Sequence, residues 1–128
     1  MIDNQYFNVI IAGSRTFDDY VLLKTKCDKI LSRVSCFKPI RIISGGAKGA
    51  DQLGERYARE RFYEIKRFIP DWDGLGKKAG YIRNKEMAEN ANALIAFYDG
   101  ESKGTGHMID IAKEKGIPIR VIEFKKLF

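Results

Sequence analysis

The chain has 128 residues, of which 45% are apolar and 31% are charged, and its net charge is +6. These proportions are typical of a single globular domain spanning 1–128, and they exclude a disordered or low-complexity protein. No apolar run approaches the roughly 18 residues of a membrane span, and the first residues lack the pattern of a secretory signal. We therefore expect a cytoplasmic protein with no membrane partner, whose positive charge suits nucleic acid, phosphorylated ligands or solubility alone.

The first two predicted elements are a strand and a helix. Residues 7–12 form a short β-branched apolar run that ends at Gly13, which predicts a buried strand. Residues 19–35 repeat apolar side chains with the 3.6-residue period of an amphipathic helix, and Asp18 or Asp19 can cap its start.

The middle of the chain continues this alternation. A strand is predicted at 40–44, and the glycine-rich segment 45–49 opens a second helix. The inner positions of that helix are Ala50, Leu53, Tyr57, Ala58 and Phe62. A weaker strand at 65–69 precedes a loop at 71–79 and a helix at 81–90. The inner candidates of that third helix are Ile82, Met87 and Ala88.

The last elements complete an α/β pattern. A strand at 93–98, a loop at 99–103, a helix at 104–115 capped by Gly116 and a strand at 117–124 are predicted. The apolar strands fit a sheet covered on both faces. The sequence therefore predicts a Rossmann-like, three-layer α/β/α fold with about five parallel strands, whose ligands bind beyond the carboxyl ends of the strands.

Three loops at that edge carry unusual residues. After the first strand, Gly13 permits a tight turn, Ser14 and Thr16 offer hydroxyls, and Arg15 offers a planar fork for phosphate. An ordinary turn with a solvated arginine remains the alternative.

The other two loops each precede a helix. Three glycines in 45–49 let backbone N–H groups approach an anion at the helix N-terminus, although the loop has neither the Walker A spacing nor a GxGxxG pattern. Asp51 either caps that helix or contacts the ligand. The segment 99–106 repeats the same anion-binding logic with Gly104, Thr105 and Gly106.

A metal site is not expected, and no cofactor is predicted. Cys27 falls on the apolar stripe of the first helix and is interpreted as a core thiol. Cys36 and His107 do not complete a zinc spacing with it, and nothing links either cysteine to the histidine as a nucleophile pair.

Motifs along nearly the whole chain resemble one family. They are Ile10-x-Ala12-Gly13-Ser14-Arg15, Ser44-Gly45-Gly46-Ala47-x-Gly49-Ala50-Asp51, Asp71-Trp72, Gly76-Lys77, Ala79-Gly80, Ile82-Arg83-Asn84-x-x-Met87 and Asp99-Gly100-x-Ser102-x-Gly104-Thr105 with Met108-Ile109. This combination is similar to the YspA, cpYpsA-related branch of the SLOG superfamily, which also contains the LOG phosphoribohydrolases and the Smf/DprA DNA-processing proteins. Tyr81 departs from the family, which usually has proline there.

The resemblance implies a ligand of nucleotide type. ADP-ribose, an NAD-derived compound or a cyclic nucleotide would bind through the glycine-rich loops of a sensor or sequestering protein. It also implies a homo-oligomer and a role in phage–host conflict. The residues assigned to ligand binding are Gly13, Ser14, Arg15, Gly45, Gly46, Lys48, Gly49, Asp51, Asp71, Trp72, Lys77, Arg83, Asn84, Asp99, Ser102, Gly104 and Thr105.

Activity is the open question. The resemblance to LOG enzymes includes the Arg83-x-x-x-Met87 helix and the Gly104-Thr105 pair, but His107 and Met108 stand where the LOG acid would be. The candidates for catalysis are Arg83, Asp51, His107 and Asp110. Because N-glycosidic cleavage needs a well-placed carboxylate, we expect binding rather than hydrolysis.

Several residues keep two interpretations. Trp72 either stacks on a base or covers the core, Lys77 fits a phosphate contact by resemblance, and His107 is a ligand contact, an acid or a surface residue. Single-stranded nucleic acid is the less favoured partner, because most aromatic residues fall inside strands and helices.

Overall fold

Five parallel strands form the centre of the protein. The computed structural model describes residues 5–34 and 37–125. The strands are β1 (Phe7–Gly13), β2 (Ile40–Ser44), β3 (Glu64–Arg67), β4 (Ala93–Tyr98) and β5 (Ile119–Glu123), in the order β3-β2-β1-β4-β5. All four neighbouring pairs are parallel. The predicted Rossmann-like fold and its five strands are confirmed.

Four longer helices cover the two faces of the sheet. Their bounds are α1 (Tyr20–Leu31), α2 (Ala50–Glu60), α4 (Ala79–Glu89) and α5 (Lys103–Lys115). The buried residues of α1 and α2 form one core with β1, β2 and β4, while those of α4 and α5 form a second core on the other face. A single helical turn, α3 (Trp72–Leu75), and a 3-10 turn (Gly76–Lys78) precede α4.

The two cores differ in the size of their side chains. The α1/α2 core contains the rings of Phe17, Tyr57 and Phe97, and the rings of Phe17 and Phe97 lie 4.8 Å apart. The α4/α5 core contains many alanines, which bring these helices close to the sheet: Ala88, Ala91, Ala96 and Ala112. Cys27 is fully buried in the first core, as expected for a core thiol. The interpretation of Cys36 lies outside the described residues.

Caps confirm two predicted ends and shift others. Asp19 rather than Asp18 caps α1, since its Oδ1 accepts from the N–H of Leu22 at 3.0 Å. Gly116 ends α5 in the left-handed conformation, as predicted. Helix α1 ends at Leu31, four residues before its predicted end.

Two predicted core residues are exposed. Phe62 is 95% exposed, because α2 ends at Glu60 and Phe62 adopts φ 58° in the turn that follows. The N–H of Tyr63 then bonds back to the carbonyl of Ala58 at 2.9 Å, which closes the helix. Ile82 lies on the outer side of α4, whereas Met87 and Ala88 are buried as predicted.

Some boundaries were also wrong. The predicted loop 71–79 contains α3 and the 3-10 turn, β3 begins and ends before its predicted limits, and β5 is shorter than 117–124. Within the described ranges, no helix is long and apolar enough to span a membrane.

Candidate functional site

A crevice opens where the chain reverses its direction of travel across the sheet. The connections from β1 lead toward β2 and β3, whereas the connection from β4 leads to β5 on the other side. The carboxyl ends of β1 and β4 therefore flank the switch point at which such sheets bind ligands. A cleft of about 480 Å³ lies there, which we call the switch cleft. Its volume is in the range of small-molecule sites.

The loop after β1 forms one wall of the switch cleft. Gly13 has no room for a side chain, because a Cβ would collide with the carbonyl oxygen of Phe97. Ser14 is buried, donates its N–H to that same carbonyl at 3.0 Å, and accepts from the N–H of Asp99 at 3.2 Å through Oγ. These bonds fasten the ends of β1 and β4 together, while the exposed Arg15 side chain lines the cleft.

The α2 entry loop (residues 45–49) ends in a glycine that its neighbours require. Gly49 has φ 80°, and a Cβ there would strike the carbonyl oxygens of Ser14 and Arg15. The loop therefore packs directly on the loop after β1, and the first turn of α2 faces the switch cleft.

Asp51 is a buried carboxylate in the wall of this cleft. It is only 5% exposed, and its Oδ2 accepts from the N–H of Ala47 at 3.2 Å. Burial raises the pKa of Asp51 to about 6, an increase that this hydrogen bond and the charges of Arg83 and Arg15 oppose and that Glu55 reinforces. The carboxyl group of Asp51 thus titrates close to neutral pH. Asp51 lies inside the first turn of α2, after the N-cap residue Gly49, so it lines the cleft and does not cap the helix.

Arg83 reaches the same wall from α4. Its Nη1 donates to the carbonyl of Gly45 at 2.7 Å, and its Nε donates to Oδ1 of Asn84 at 3.0 Å. A Cβ on Gly45 would lie 2.8 Å from both the guanidinium carbon of Arg83 and Oδ2 of Asp51, so glycine is needed where these groups converge. Burial lowers the pKa of Arg83, but Asp51 opposes that shift, and the guanidinium stays charged.

The α5 entry loop (residues 99–102) is closed by its own acid. Oδ1 of Asp99 accepts from the N–H groups of Glu101 and Ser102, both at 2.9 Å. Ser102 Oγ and Thr105 Oγ1 are 3.2 Å apart, and Thr105 is buried at the start of α5. Two backbone N–H groups of this loop, those of Glu101 and Ser102, are therefore occupied within the loop itself, while that of Asp99 bonds to Ser14.

His107 and Asp110, two candidates for catalysis, do not line the switch cleft. The amide nitrogen of Asn84 lies 3.1 Å from Nδ1 of His107, and the ring of Tyr81 packs edge-on against the imidazole at 4.4 Å. Burial lowers the pKa of His107, although Asp110 and Glu114 oppose this. Asp110 lies on the exposed side of α5.

A second cavity of about 450 Å³ adjoins the switch cleft. It shares Arg15, Ala47 and Arg83 with the cleft. Trp72 is among the other residues that line it, so we call it the Trp72 chamber.

The structure brings together most residues that the sequence singled out. The switch cleft is lined by Gly13, Ser14, Arg15, Asp51, Arg83, Asn84, Asp99, Ser102, Gly104 and Thr105. The Trp72 chamber adds Gly45, Gly46, Lys48 and Trp72. Asp71 instead caps α3, with Oδ1 accepting from the N–H of Gly74 at 2.9 Å, and the exposed Lys77 lines neither cavity.

The sequence did not single out Glu101 in the cleft or a hydrogen-bond network that joins the α2 entry loop to β2, α2 and β3. Ser44 Oγ donates to Glu55 at 2.6 Å and accepts from the N–H of Gly46 at 3.0 Å, and Nε of Arg67 donates to Glu55 at 2.9 Å. Glu55 follows Asp51 by one helical turn and so shares its helix face, a spacing that pointed to it. Across the described ranges, no group of three or more His, Cys, Asp or Glu side chains is arranged to hold a metal ion.

Residues 7–74, more than half of the chain, match the family model described as YspA, cpYpsA-related SLOG. The Gene 61 protein of Mycobacterium phage D29 is 34% identical in an alignment 117 residues long that covers 87% of this chain and 92% of the phage protein.

Two solved structures share the fold at low identity. DNA processing protein A (DprA) from Streptococcus pneumoniae superposes with a TM-score of 0.71 at 18% identity, over 95% of this chain and 52% of that chain. The structural genomics target TM1055 superposes with a TM-score of 0.61 at 20% identity, over 88% of this chain and 71% of that chain. This chain thus spans about half the length of the DprA chain.

Proposed function

The chain belongs to the YspA, cpYpsA-related SLOG family, and from that premise we propose that it binds a nucleotide-derived small molecule in the switch cleft. Such binding makes the protein a sensor or a sequestering protein for that molecule. The observation that carries the proposal is the convergence of two guanidinium groups and two helix N-termini on one cleft at the switch point.

Charge is the first reason for a phosphorylated ligand. Among the described residues none pairs with the guanidinium of Arg15, which is exposed and lines the cleft. Arg83, which also lines the cleft, supplies a second positive charge there. A phosphate between them would gain charge-assisted hydrogen bonds in planar geometry.

Polar side chains supply the second reason. Asn84, Ser102 and Thr105 line the cleft beside the apolar side chains of Met87 and Met108. A sugar hydroxyl and a base edge are matched by such amide and hydroxyl groups over an apolar floor. The α2 and α5 N-termini add positive potential toward the phosphate.

Calorimetric titration with AMP and ADP-ribose tests the proposal. We expect Arg15→Ala to weaken binding by roughly 10-fold or more, the loss typical of a charged hydrogen bond. Arg33→Ala is the matched control, since it removes the same charge from an exposed position beyond the end of α1 and should change the affinity less than twofold.

The proposal would be contradicted if neither AMP nor ADP-ribose binds, or if the two arginine variants weaken binding equally. The structural neighbour DprA is a DNA processing protein, so a short single-stranded oligonucleotide is titrated in parallel. Oligonucleotide binding that falls steeply with added salt, without binding of AMP or ADP-ribose, would assign the basic surface to nucleic acid instead.

Asp51 supports a second candidate, cleavage of the N-glycosidic bond of a nucleoside monophosphate. A carboxyl group with a pKa of about 6 can donate a proton to the departing base near neutral pH. The carboxylates of Asp99 and Glu101 line the same cleft and could stabilise the positive charge that develops on the sugar. Water then adds to the anomeric carbon and gives a proton back to the Asp51 carboxylate, and the products are the free base and ribose phosphate.

Chromatography of AMP incubated with the protein separates the two candidates. If hydrolysis occurs, free adenine should form, and Asp51→Asn should abolish its formation while AMP still binds. If AMP binds and no adenine forms after long incubation at high protein concentration, binding alone is the function.

A further inference from the structure

Resting on the proposed function, we propose that the ligand is a dinucleotide: two nucleoside halves joined through phosphates, with one half in the switch cleft and the ring of the other stacked on Trp72. The inference deepens the proposed function by naming the ligand class and assigning Trp72 to it.

Two cavities of similar size meet at two arginines. The switch cleft has about 480 Å³ and the Trp72 chamber about 450 Å³, and each alone is large enough for a small ligand. Arg15 and Arg83 belong to both linings. The positive charges therefore lie at the junction of two chambers, where the bridging phosphates of a two-part ligand would be.

The indole of Trp72 is held in place yet uncovered. Asp71 caps the turn that carries it, and the N–H of Gly76 bonds to the carbonyl of Trp72. A Cβ on Gly80 would lie 3.4 Å from Cη2 of Trp72, so the backbone of α4 supports one side of the ring. The side chain is nevertheless 53% exposed, in the wall of a cavity.

The rest of the Trp72 chamber suits a flat ring. Ile69, which is 65% exposed, and Pro70 line it together with the indole. These apolar groups face water unless a ligand covers them. An exposed aromatic face can stack on any of the nucleobases, since each base has a π-face. Lys48 and Gln52 supply polar groups to the same lining.

Both arginines have donors to spare for the phosphates. Among the described residues, no group accepts a hydrogen bond from Arg15 or from Nη2 of Arg83, whose Nε and Nη1 are engaged with Asn84 and Gly45. A bridging pyrophosphate has acceptors for both guanidinium groups and carries one nucleoside on each side, so that each chamber receives one of them. A mononucleotide has a nucleoside on one side of its phosphate only and fills one chamber.

Intrinsic fluorescence reads out the proposed contact directly, because Trp72 is the only tryptophan in the sequence. The probes are AMP and diadenosine diphosphate, which carries two adenosines on one pyrophosphate. We expect diadenosine diphosphate to quench the emission on binding, and AMP to bind without quenching it.

Calorimetry on variants then measures the stacking. Trp72→Ala should weaken diadenosine diphosphate by about 5- to 150-fold, the range for loss of one base stack, and AMP by less than twofold. Trp72→Phe should restore most of the affinity. Phe37→Ala is the matched control, since it removes an aromatic ring that is 85% exposed and lines neither cavity.

The outcomes separate the two proposals. If AMP binds but diadenosine diphosphate binds no more tightly and leaves the emission unchanged, the two-chamber ligand is wrong and the proposed function stands. If AMP itself quenches Trp72 and loses affinity in Trp72→Ala, the base of a mononucleotide occupies the chamber, which also overturns the inference. If neither compound binds the folded wild-type protein, the proposed function fails first.

Discussion

The two entry loops belong to segments that look alike in sequence, 45–51 and 99–106, each with three glycines and at least one acidic residue, but the loops are built differently. In the α5 entry loop, Asp99 accepts two backbone N–H bonds and closes the loop on itself. The α2 entry loop contains no acidic residue, and the nearest one, Asp51, lies in the first turn of α2. There Asp51 is buried, which raises its pKa to about 6. The α5 entry loop is held mainly by Asp99 and by one bond to Ser14, whereas the α2 entry loop depends on Arg83 and on close packing of Gly49 against the loop after β1. The comparison indicates that a loop between a strand and a helix can be held by an acidic side chain of its own or can depend on residues from other segments.

The largest effect is expected from a methyl group at Gly49. The backbone there has φ 80°, and a Cβ would strike the carbonyl oxygens of Ser14 and Arg15. Gly49→Ala should lower the free energy of unfolding by about 3 kcal/mol or more, from conformational strain and overpacking together.

Gly100→Ala in the α5 entry loop is the matched control. Gly100 has φ 84° but no atom near its would-be Cβ, so only the strain of roughly 1 kcal/mol remains. Urea unfolding of both variants measures the difference. Equal losses would show that the α2 entry loop does not depend on close approach to its neighbour.

A pH effect of similar size is expected from Asp51. Its pKa rises on folding from 3.8 to about 6, so between these values the folded protein binds more protons than the unfolded chain. The contribution of Asp51 to stability is therefore fully present below pH 3.8 and is lost as the pH rises through about 6. The loss is about 3 kcal/mol.

Urea unfolding of the wild type and Asp51→Asn from pH 4 to pH 7 isolates the contribution of Asp51 to the free energy of unfolding. Lowered pKa values of Asp28 and Glu55 act in the opposite direction but are common to both proteins. We expect the wild type to lose stability relative to the variant as the pH rises. Parallel curves would mean that Asp51 is not desolvated.

A smaller loss in the free energy of unfolding is expected from serine-to-alanine variants at the two loops, and the loss should differ between them. Ser44→Ala removes a hydroxyl that is fully buried and bonded to Glu55 and Gly46, which should cost about 1–2 kcal/mol. Ser102→Ala removes only a contact with Thr105 in a partly exposed site, and about 0.5 kcal/mol or less is expected. A larger loss in Ser102→Ala would reverse the assignment of which loop depends on buried support.

The smallest change concerns protonation alone. His107 is the only histidine in the sequence, so its proton NMR signals can be followed without assignment. We expect its pKa below the ordinary 6.5, because it is partly buried. Asn84→Asp should raise that pKa, since a carboxylate would replace the amide beside Nδ1. If the substitution leaves the pKa of His107 unchanged, the side chains at positions 84 and 107 are not in contact in solution.

Much of the fold could be predicted from the sequence because its signals are local. The β-branched runs and the helical period identified all five strands and the longer helices. The errors fall where the apolar pattern continues past the end of an element or onto the side of a helix that no other element covers. Phe62 fits the period of α2 but follows its last turn, and Ile82 fits α4 but faces solvent.

The candidate site was predictable as a set of loops and not as an arrangement. Parallel strands bring their carboxyl ends to one edge, so the loops after β1, β2 and β4 had to meet. No local pattern, however, indicates that Arg83 bonds to the carbonyl of Gly45, 38 positions away. Lys77 and Asp71 were included by resemblance and lie outside the switch cleft.

The sequence by itself therefore determined the order of elements, the parallel sheet and the edge at which the loops gather, because side-chain periodicity and glycine placement act within a few residues. Only the tertiary structure decided how buried Asp51 is and which two chambers Arg15 and Arg83 share. Burial and charge convergence depend on packing between segments far apart in the chain. That packing raises the pKa of Asp51 and leaves Trp72 uncovered beside a cavity.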